Sequence, residues 1–372
     1  MKKHVLVEYI WVDGSHPTRK VRSKTRVLEH APILLSGEPV GTKALTLPVW
    51  SFDGSSTGQA TGDKSDCVLM PVHSFPDPIR GEGHHLVMCE VFMADGVTPH
   101  PTNTRARLRD LLAREGVQEL EAWYGLEQEY TLFKGSRPLG FGEDRRYPAA
   151  QGPYYCGVGA DEAYGRPLAE AHLRACLDAG LKLSGINAEV MPGQWEFQVG
   201  PLGPLEVGDH LWVARWLLYR LGEDFGMSAT LDAKPVPGDW NGAGMHANFS
   251  TKAMRTSEGE ASGMVAIEAW CKWAAHRVSE HLAACGDGYE ARLTGRHETA
   301  SYRNFKWGVS DRTASVRVPL QAQVDGCGYL EDRRFNANAD PYEVARVMLE
   351  TAHLADTQLP PPPAEISIER KA

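Results

Sequence analysis

Apolar and polar residues alternate with a period of two along several stretches of the chain, and with a period near 3.6 along others. The first pattern predicts strands at residues 4–12, 21–29, 86–92, 123–133 and 245–250. Asp13-Gly14-Ser15-His16-Pro17 joins the first two as a turn, and residues 31–48 form a Pro- and Gly-bearing loop. The second pattern predicts helices at 105–115, with Leu108, Leu111 and Leu112 on one side, and at 167–179, opening on Pro167 and ending at Gly180. Asp209 is expected to cap a helix that runs to Phe225 and stops at Gly226. Ser257 and Glu260 form a capping box for a helix reaching Cys285. Asp340-Pro341 starts a last helix to about residue 357, and Pro360 to Pro363 make an extended end. Thr98-Pro99-His100-Pro101-Thr102 divides a small, mostly β unit (1–100) from a larger one (101–372) of antiparallel strands flanked by helices, so the fold class is α+β.

The alternation also puts charge where core is expected. Residues 186–198 predict a hairpin around Pro192-Gly193, with Asn187 and Glu189 on one face of the first arm. Gln194, Glu196 and Gln198 share a face of the second arm, opposite Trp195 and Phe197. With Pro192-Gly193 as the whole loop, Glu189 stands across from Glu196. Two carboxylates about 5 Å apart repel by about 3 kcal/mol at an effective dielectric near 20. Such a pair needs a proton, an arginine or a metal cation, or else the face is simply solvated. Glu127 and Glu129 alternate on another strand, and His246, Asn248 and Ser250 on a third that follows Gly242-Ala243-Gly244. Tyr329, Glu331 and Arg333 share the face of a further short element. Five carboxylates and an imidazole make a hard, oxygen-rich set that suits two or three Mg²⁺ or Mn²⁺ ions better than Zn²⁺. His246 alone would read as a core histidine; its neighbours favour a ligand.

Arg292, Arg312, Arg317 and Arg333 crowd the late part of the chain. They read either as a solvated basic edge or as forks for carboxylate and phosphate. Beside a cation site they point to phosphoryl transfer from a nucleotide. Neither a P-loop nor a dinucleotide-binding glycine motif is present. The 372 residues are 42% hydrophobic and 23% charged, as in soluble globular proteins. A formal net charge of −9 argues against nucleic acid as a partner, and no apolar run is long enough to span a membrane. Seven cysteines, none in C-x-x-C spacing, read as reduced thiols of a cytoplasmic protein.

Trp50-Ser51-Phe52-Asp53-Gly54-Ser55-Ser56-Thr57, Gly125-Leu126-Glu127-Gln128-Glu129-Tyr130, the hairpin from Asn187 to Gln198, Asn241-Gly242-Ala243-Gly244-Met245-His246, Leu293-Thr294-Gly295-Arg296-His297-Glu298-Thr299 and Gly328-Tyr329-Leu330-Glu331-Asp332-Arg333-Arg334 together resemble type II glutamine synthetase. The likeness runs in order from about residue 5 to 357. It implies an N-terminal β-grasp domain, a catalytic α+β domain and a homo-oligomer of two stacked rings, most simply a decamer, with active sites between subunits. The implied reaction joins ammonia to the γ-carboxylate of glutamate with ATP through γ-glutamyl phosphate. Residue by residue, the likeness implies one metal at Glu129, Glu189 and Glu196 and another at Glu127, His246 and Glu331. Trp240, Asn241, Gly242, Arg292 and Arg333 would bind glutamate, with Arg312 near both glutamate and the transferred phosphoryl group. Asn248, Phe249, Ser250, Arg317 and Tyr329 would serve the nucleotide. Asp53 would deprotonate ammonium, reaching a neighbouring subunit's site, and Glu298 would close a flap. Leu320, Phe335 and the length of loop 31–48 depart from the family's pattern, and none coincides with an implied ligand. A γ-glutamyl ligase for another amine and an inactive homologue are the rival readings; the retained Asp53 and metal set speak against them.

Overall fold

The computed structural model describes residues 4–29, 47–142, 148–257 and 263–359. Most of loop 31–48, Glu260 of the expected capping box and Pro360 to Pro363 lie outside them. The first sheet holds β1 (Val5–Val12), β2 (Val21–Leu28), β3 (Trp50–Asp53), β4 (Asp66–Pro76) and β5 (His85–Phe92) in the order β2-β1-β5-β4-β3. β4 was not expected from the alternation. Pro71 and Pro76 break its pattern, and the ladder to β5 shifts register between Pro71 and His73.

The second sheet holds β6 (Trp123–Lys134), β7 (Arg137–Pro138), β8 (Leu183–Ala188), β9 (Gln194–Leu202), β10 (Ser228–Thr230), β11 (Met245–Ser250), β12 (Trp307–Val309), β13 (Val316–Val318) and β14 (Leu330–Asp332). Its order is β12-β13-β14-β11-β6-β9-β8, with β7 and β10 attached to β6. The helices are α1 (Thr104–Leu112), α2 (Arg166–Asp178), α3 (Pro204–Phe225), α4 (Lys252–Arg255), α5 (Gly263–His276), α6 (Val278–Ala283), α7 (Tyr289–Arg292), α8 (Leu320–Asp325) and α9 (Pro341–Thr357). No helix among the described residues is long and apolar enough to cross a membrane.

One apolar face of the second sheet (Tyr124, Leu126, Tyr130, Phe197, Ala247) is covered by α2, α3, α5 and α9. Ile10, Leu86 and Met88 of the first sheet join that core, while Val7, Tyr9 and Val87 face a smaller core of their own. Burying each large side chain is worth about 1.5–3 kcal/mol. The opposite face of the second sheet is therefore left to carry the polar residues.

Two expectations are corrected. Asp209 does not cap α3, which starts at Pro204 with Gly203 at its N-cap. Asp209 instead lies fully buried inside the helix, where its carboxylate accepts from Arg105 Nε (2.8 Å), Arg105 Nη2 (3.0 Å) and the Tyr342 hydroxyl (2.6 Å) and pairs with His73 Nδ1 (3.0 Å). Arg105 also donates to Glu90 on β5, so this network ties the first sheet to α1, α3 and α9. The helix expected to reach Cys285 breaks at Arg277, whose backbone leaves the helical region while its guanidinium donates to Glu350. Phe335, a departure from the family's pattern, is fully buried with its ring over His281, whereas Leu320 is exposed.

Despite complete burial, the Arg105 and His73 partners hold the Asp209 carboxyl below the ordinary range. Its stabilisation is thus present above about pH 3.9, the unfolded carboxyl's value, and is lost as pH falls toward the folded value. Asp209→Asn takes from Arg105 one of its two carboxylate partners, leaving Glu90, and is expected to cost about 3 kcal/mol in denaturant unfolding. It should also flatten the acid limb of the stability curve. An unchanged midpoint and acid limb would show that the network does not hold the first sheet to these helices.

Candidate active site

β6 is the spine of the polar face. In its ladders Glu129 pairs with Glu196 on β9, and Glu127 pairs with Gln198 on β9 and with His246 on β11. β14 adds Glu331 beside Asn248. The expected Glu189–Glu196 pairing does not form. Glu196 faces Asn187, and the Glu189 amide donates to the Gln194 carbonyl, so the register lies two residues away. Pro192-Gly193 is half of a longer loop, closed by the Gln194 amide on the Met191 carbonyl. A shift of two keeps the face, so Glu189 still meets the other glutamates. Gly193 has φ +72°, and a Cβ there would lie 2.9 Å from the Leu139 carbonyl.

Two clusters result: Glu129, Glu189 and Glu196, and Glu127, His246 and Glu331. In each, one ligand atom per residue lies within 4.8 Å of the others. Burial, then Glu127 and Glu129, push the Glu196 carboxyl up to about 8, and burial with Glu129 and Glu196 raises Glu189 well above its usual value. The first cluster is short of positive charge, and an all-oxygen donor set of this size fits a hard divalent cation. The second is differently furnished. Arg333 Nη1 (2.6 Å) and Arg317 Nη1 (2.8 Å) donate to the two oxygens of Glu331. Arg292 Nη2 contacts His246 Nε2 (3.0 Å), leaving Nδ1 toward Glu127 (3.3 Å) and Glu331 (3.5 Å). Burial raises the Glu127 carboxyl, but His246 and Asn248 more than offset this and hold it below its ordinary range. Gly244 makes the Arg292–His246 contact possible, since a Cβ there would lie 2.3 Å from Arg292 Nη2.

Both clusters open into a cleft of about 500 Å³ that Asn241, Gly242, Arg292, Glu298, Arg312, Arg317 and Arg333 also line. A neighbouring, more apolar pocket of about 590 Å³ shares Glu127 and Gln198 with it and is lined by Asn248, Phe249, Ser250 and Tyr329. Trp240 and Asp53 line neither. Trp240 is buried in a small apolar cluster with Phe141, Tyr154 and Met191, edge-on to Phe141 at 5.1 Å. Asp53 is exposed at the end of β3, an edge strand of the first sheet, where the Ser55 and Ser56 hydroxyls hold its carboxyl below the ordinary range. The Phe249 ring packs into the core against Tyr124 and Trp270. Glu298 has φ +57°, unusual for a residue with a side chain, and its carbonyl accepts from Arg333 Nη2 (3.2 Å).

Sequence reasoning missed Gln151, Tyr155 and His297 in the cleft, and Trp123 and Arg255 in the second pocket, where the guanidinium lies 3.9 Å from the Trp123 ring centroid. Gln151 and Tyr155 sit in a loop with no period to reveal them. Trp123 opens a recognised strand, and its parity with Glu127 and Glu129, which puts it on their face, was the available signal.

The profile described as "Glutamine synthetase, catalytic domain" matches residues 101–368, and "Glutamine synthetase, beta-Grasp domain" matches residues 3–94. A glutamine synthetase of Streptomyces viridochromogenes is 57% identical over 92% of this chain and 95% of its own length. A chloroplastic glutamine synthetase of Chlamydomonas reinhardtii is 53% identical over 92% and 89%, and a glutamine synthetase of Frankia alni 49% identical over 97% and 99%. The first sheet is thus a β-grasp domain and the second the core of a catalytic domain. On these matches and on the two acidic clusters, the chain belongs to the glutamine synthetase family, among its eukaryote-like members.

Proposed function

We propose that the two clusters and the arginines beside them carry out the reaction of a glutamine synthetase, in which ATP activates the γ-carboxylate of glutamate and ammonia displaces the phosphate. The observation that carries this reading is the pair of clusters on one sheet face, set between an arginine-lined cleft and a more apolar pocket. Glu129, Glu189 and Glu196 would hold one Mg²⁺ or Mn²⁺, and Glu127, His246 and Glu331 another. Bound there, the cations would offset the charge of the phosphates and of the carboxylates themselves.

The remaining work falls to the chain's own side chains. The nucleotide base enters the pocket beside Trp123, Asn248, Ser250 and Tyr329, with Phe249 bracing the strand from the core, and its phosphates extend past Glu127 toward Arg312 and Arg317. Glutamate lies across Asn241 and Gly242, held by Arg292 and Arg333, while the buried Trp240 anchors that loop. Arg317 and Arg333 are engaged by Glu331 in the free protein, so an incoming phosphate or carboxylate exchanges one anion for another at these guanidinium groups. A γ-carboxylate oxygen of glutamate attacks the γ-phosphorus, and the bond to ADP breaks. Ammonia then attacks the acyl carbon and expels phosphate. Asp53 binds ammonium and takes its proton, and Glu298 closes the cleft against water. Asp53 lies outside its own chain's cleft, which supports a homo-oligomer in which a neighbouring copy supplies it; two five-membered rings are the arrangement proposed. The reading further includes a boundary near residue 100 and a cytoplasmic location, supported by described cysteines that are all free.

The test is a coupled assay with Mg²⁺, following ADP and glutamine together. The expected result is ADP release that requires both glutamate and ammonium and matches glutamine one for one. Equal ADP release without glutamate, or coupling to methylamine and not to ammonium, would overturn it.

A further inference from the structure

All three glutamates of the first cluster share a feature that in the second cluster Glu127 alone shows, through Asn248 Nδ2 at 2.8 Å. Each accepts a hydrogen bond from a side-chain carboxamide. Gln194 Nε2 donates to Glu129 Oε2 at 3.1 Å, Asn187 Nδ2 donates to Glu189 Oε1 at 3.0 Å, and Gln198 Nε2 donates to Glu196 Oε1. The carboxamides are themselves fixed. Gln198 Nε2 also donates to Asn187 Oδ1 at 2.9 Å, which turns the Asn187 amide so that its nitrogen faces Glu189. Gln194 is buried, and its Nε2 also donates to the Gly242 carbonyl at 3.0 Å, tying Glu129 to the loop that bears Asn241 and Gly242. On Glu129 the Gly244 amide shares Oε2 with Gln194, so both donors hold the same oxygen.

The type of donor matters as much as the geometry. In the second cluster Glu331 is gripped by two guanidinium groups, which cancel its charge as they orient it. A neutral amide can fix a carboxylate oxygen and leave its charge intact. We propose that Asn187, Gln194 and Gln198 are positioning residues for a divalent cation. One carboxamide per glutamate, with Asn187 and Gln198 acting as a single relay, holds the mutually repelling carboxylates in place so that binding the ion requires little rearrangement. This rests on reading Glu129, Glu189 and Glu196 as a cation site.

The experiment is calorimetric titration of the metal-free protein with Mn²⁺, alongside melting of the same metal-free samples. Wild type, Gln198→Met, Asn187→Leu, the Asn187→Leu/Gln198→Met double variant, Gln194→Met and, as a control, Glu196→Gln are compared. Each carboxamide variant is expected to bind Mn²⁺ about 10–100-fold more weakly while melting within a few degrees of wild type. The double variant should bind about as weakly as its worse single parent, because the two residues form one relay. Should buried Gln194→Met fail to fold, the partly exposed Asn187 and Gln198 decide the matter. Carboxamide variants that bind as tightly as wild type, while Glu196→Gln does not, overturn the proposal and leave the cation site standing. A wild type that binds no Mn²⁺, or a Glu196→Gln protein that binds it equally well, overturns both.

Discussion

Glu196→Ala and Glu129→Ala are each expected to lower kcat by about three orders of magnitude, the rate equivalent of several kcal/mol of lost charge stabilisation. Glu196→Gln, which keeps the shape and removes the charge, is expected to do the same while making the metal-free protein more stable. Glu129 and Glu196 are direct partners in the β6–β9 ladder, both buried, and Glu189 joins them. Burial and the neighbouring carboxylates bring Glu196 to about 8 from an ordinary 4.5. Because the folded value is the higher, the unfolded chain gives up this proton first. The metal-free protein therefore loses stability as pH rises from about 4.5 toward 8, and the loss is complete above 8. Glu196→Gln should flatten that slope and raise the metal-free melting temperature at pH 8. Added Mg²⁺ or Mn²⁺ should stabilise wild type at pH 8 more than the variant, which keeps the second cluster but loses the first. Full turnover in excess chelator, or a variant less stable than wild type without metal, would contradict the reading of the cluster.

The second large effect concerns Asp53 and Glu298, the carboxylates proposed to serve the nucleophile and to close the cleft. Asp53→Asn is expected to lower kcat/KM for ammonium by about 10²-fold or more, and to impair hydroxylamine much less. Hydroxylamine is already neutral near pH 7 and needs no proton removed before it attacks. The Ser55 and Ser56 hydroxyls keep Asp53 ionised, which suits binding of a small cation. Glu298→Ala should instead uncouple the reaction, with ADP release in the presence of glutamate far exceeding glutamine. Glu298 sits in a left-handed backbone conformation near Gly295 (φ +84°), in a loop that Arg333 grips only through the Glu298 carbonyl. Since Asp53 lies outside its own cleft, mixing Asp53→Ala chains with Arg333→Ala chains during assembly should recover part of the activity that neither has alone. Equal loss of both nucleophiles in Asp53→Asn, tight coupling in Glu298→Ala and no recovery on mixing would withdraw these roles.

Much of the site was legible because a strand with period two declares its faces. Glu127 and Glu129, Glu196 and Gln198, and His246 and Asn248 are where alternation put them, on the face that the helices leave uncovered. Register was harder to read. The hairpin loop is longer than Pro192-Gly193, so Glu129 became the direct partner of Glu196 in place of Glu189. Only the even shift kept Glu189 in the cluster. Asp209 misled because an aspartate ahead of an apolar run reads as a cap, whereas buried arginine, histidine and tyrosine partners from distant elements outweigh local preference. β4 went unread because its two prolines look like loop until the bulge that accommodates one of them is seen. The arginines of the cleft were visible as a crowd, but their assignment to glutamate or phosphate came from the family likeness alone. Gln151 and Tyr155 reach the cleft from an irregular loop, where sequence spacing carries no directional information.

In the proposed reaction, ATP transfers its γ-phosphoryl group to the γ-carboxylate of glutamate within this cleft. The most direct measurement follows an oxygen atom. Glutamate labelled with ¹⁸O in its γ-carboxylate is turned over with ATP, Mg²⁺ and ammonium, and the released phosphate is analysed by mass spectrometry. If a γ-carboxylate oxygen attacks phosphorus and ammonia later displaces that phosphate at carbon, one ¹⁸O per turnover must appear in inorganic phosphate. Phosphate free of ¹⁸O while glutamine accumulates would contradict the account, because the acyl-phosphate bond on which it depends would never have formed.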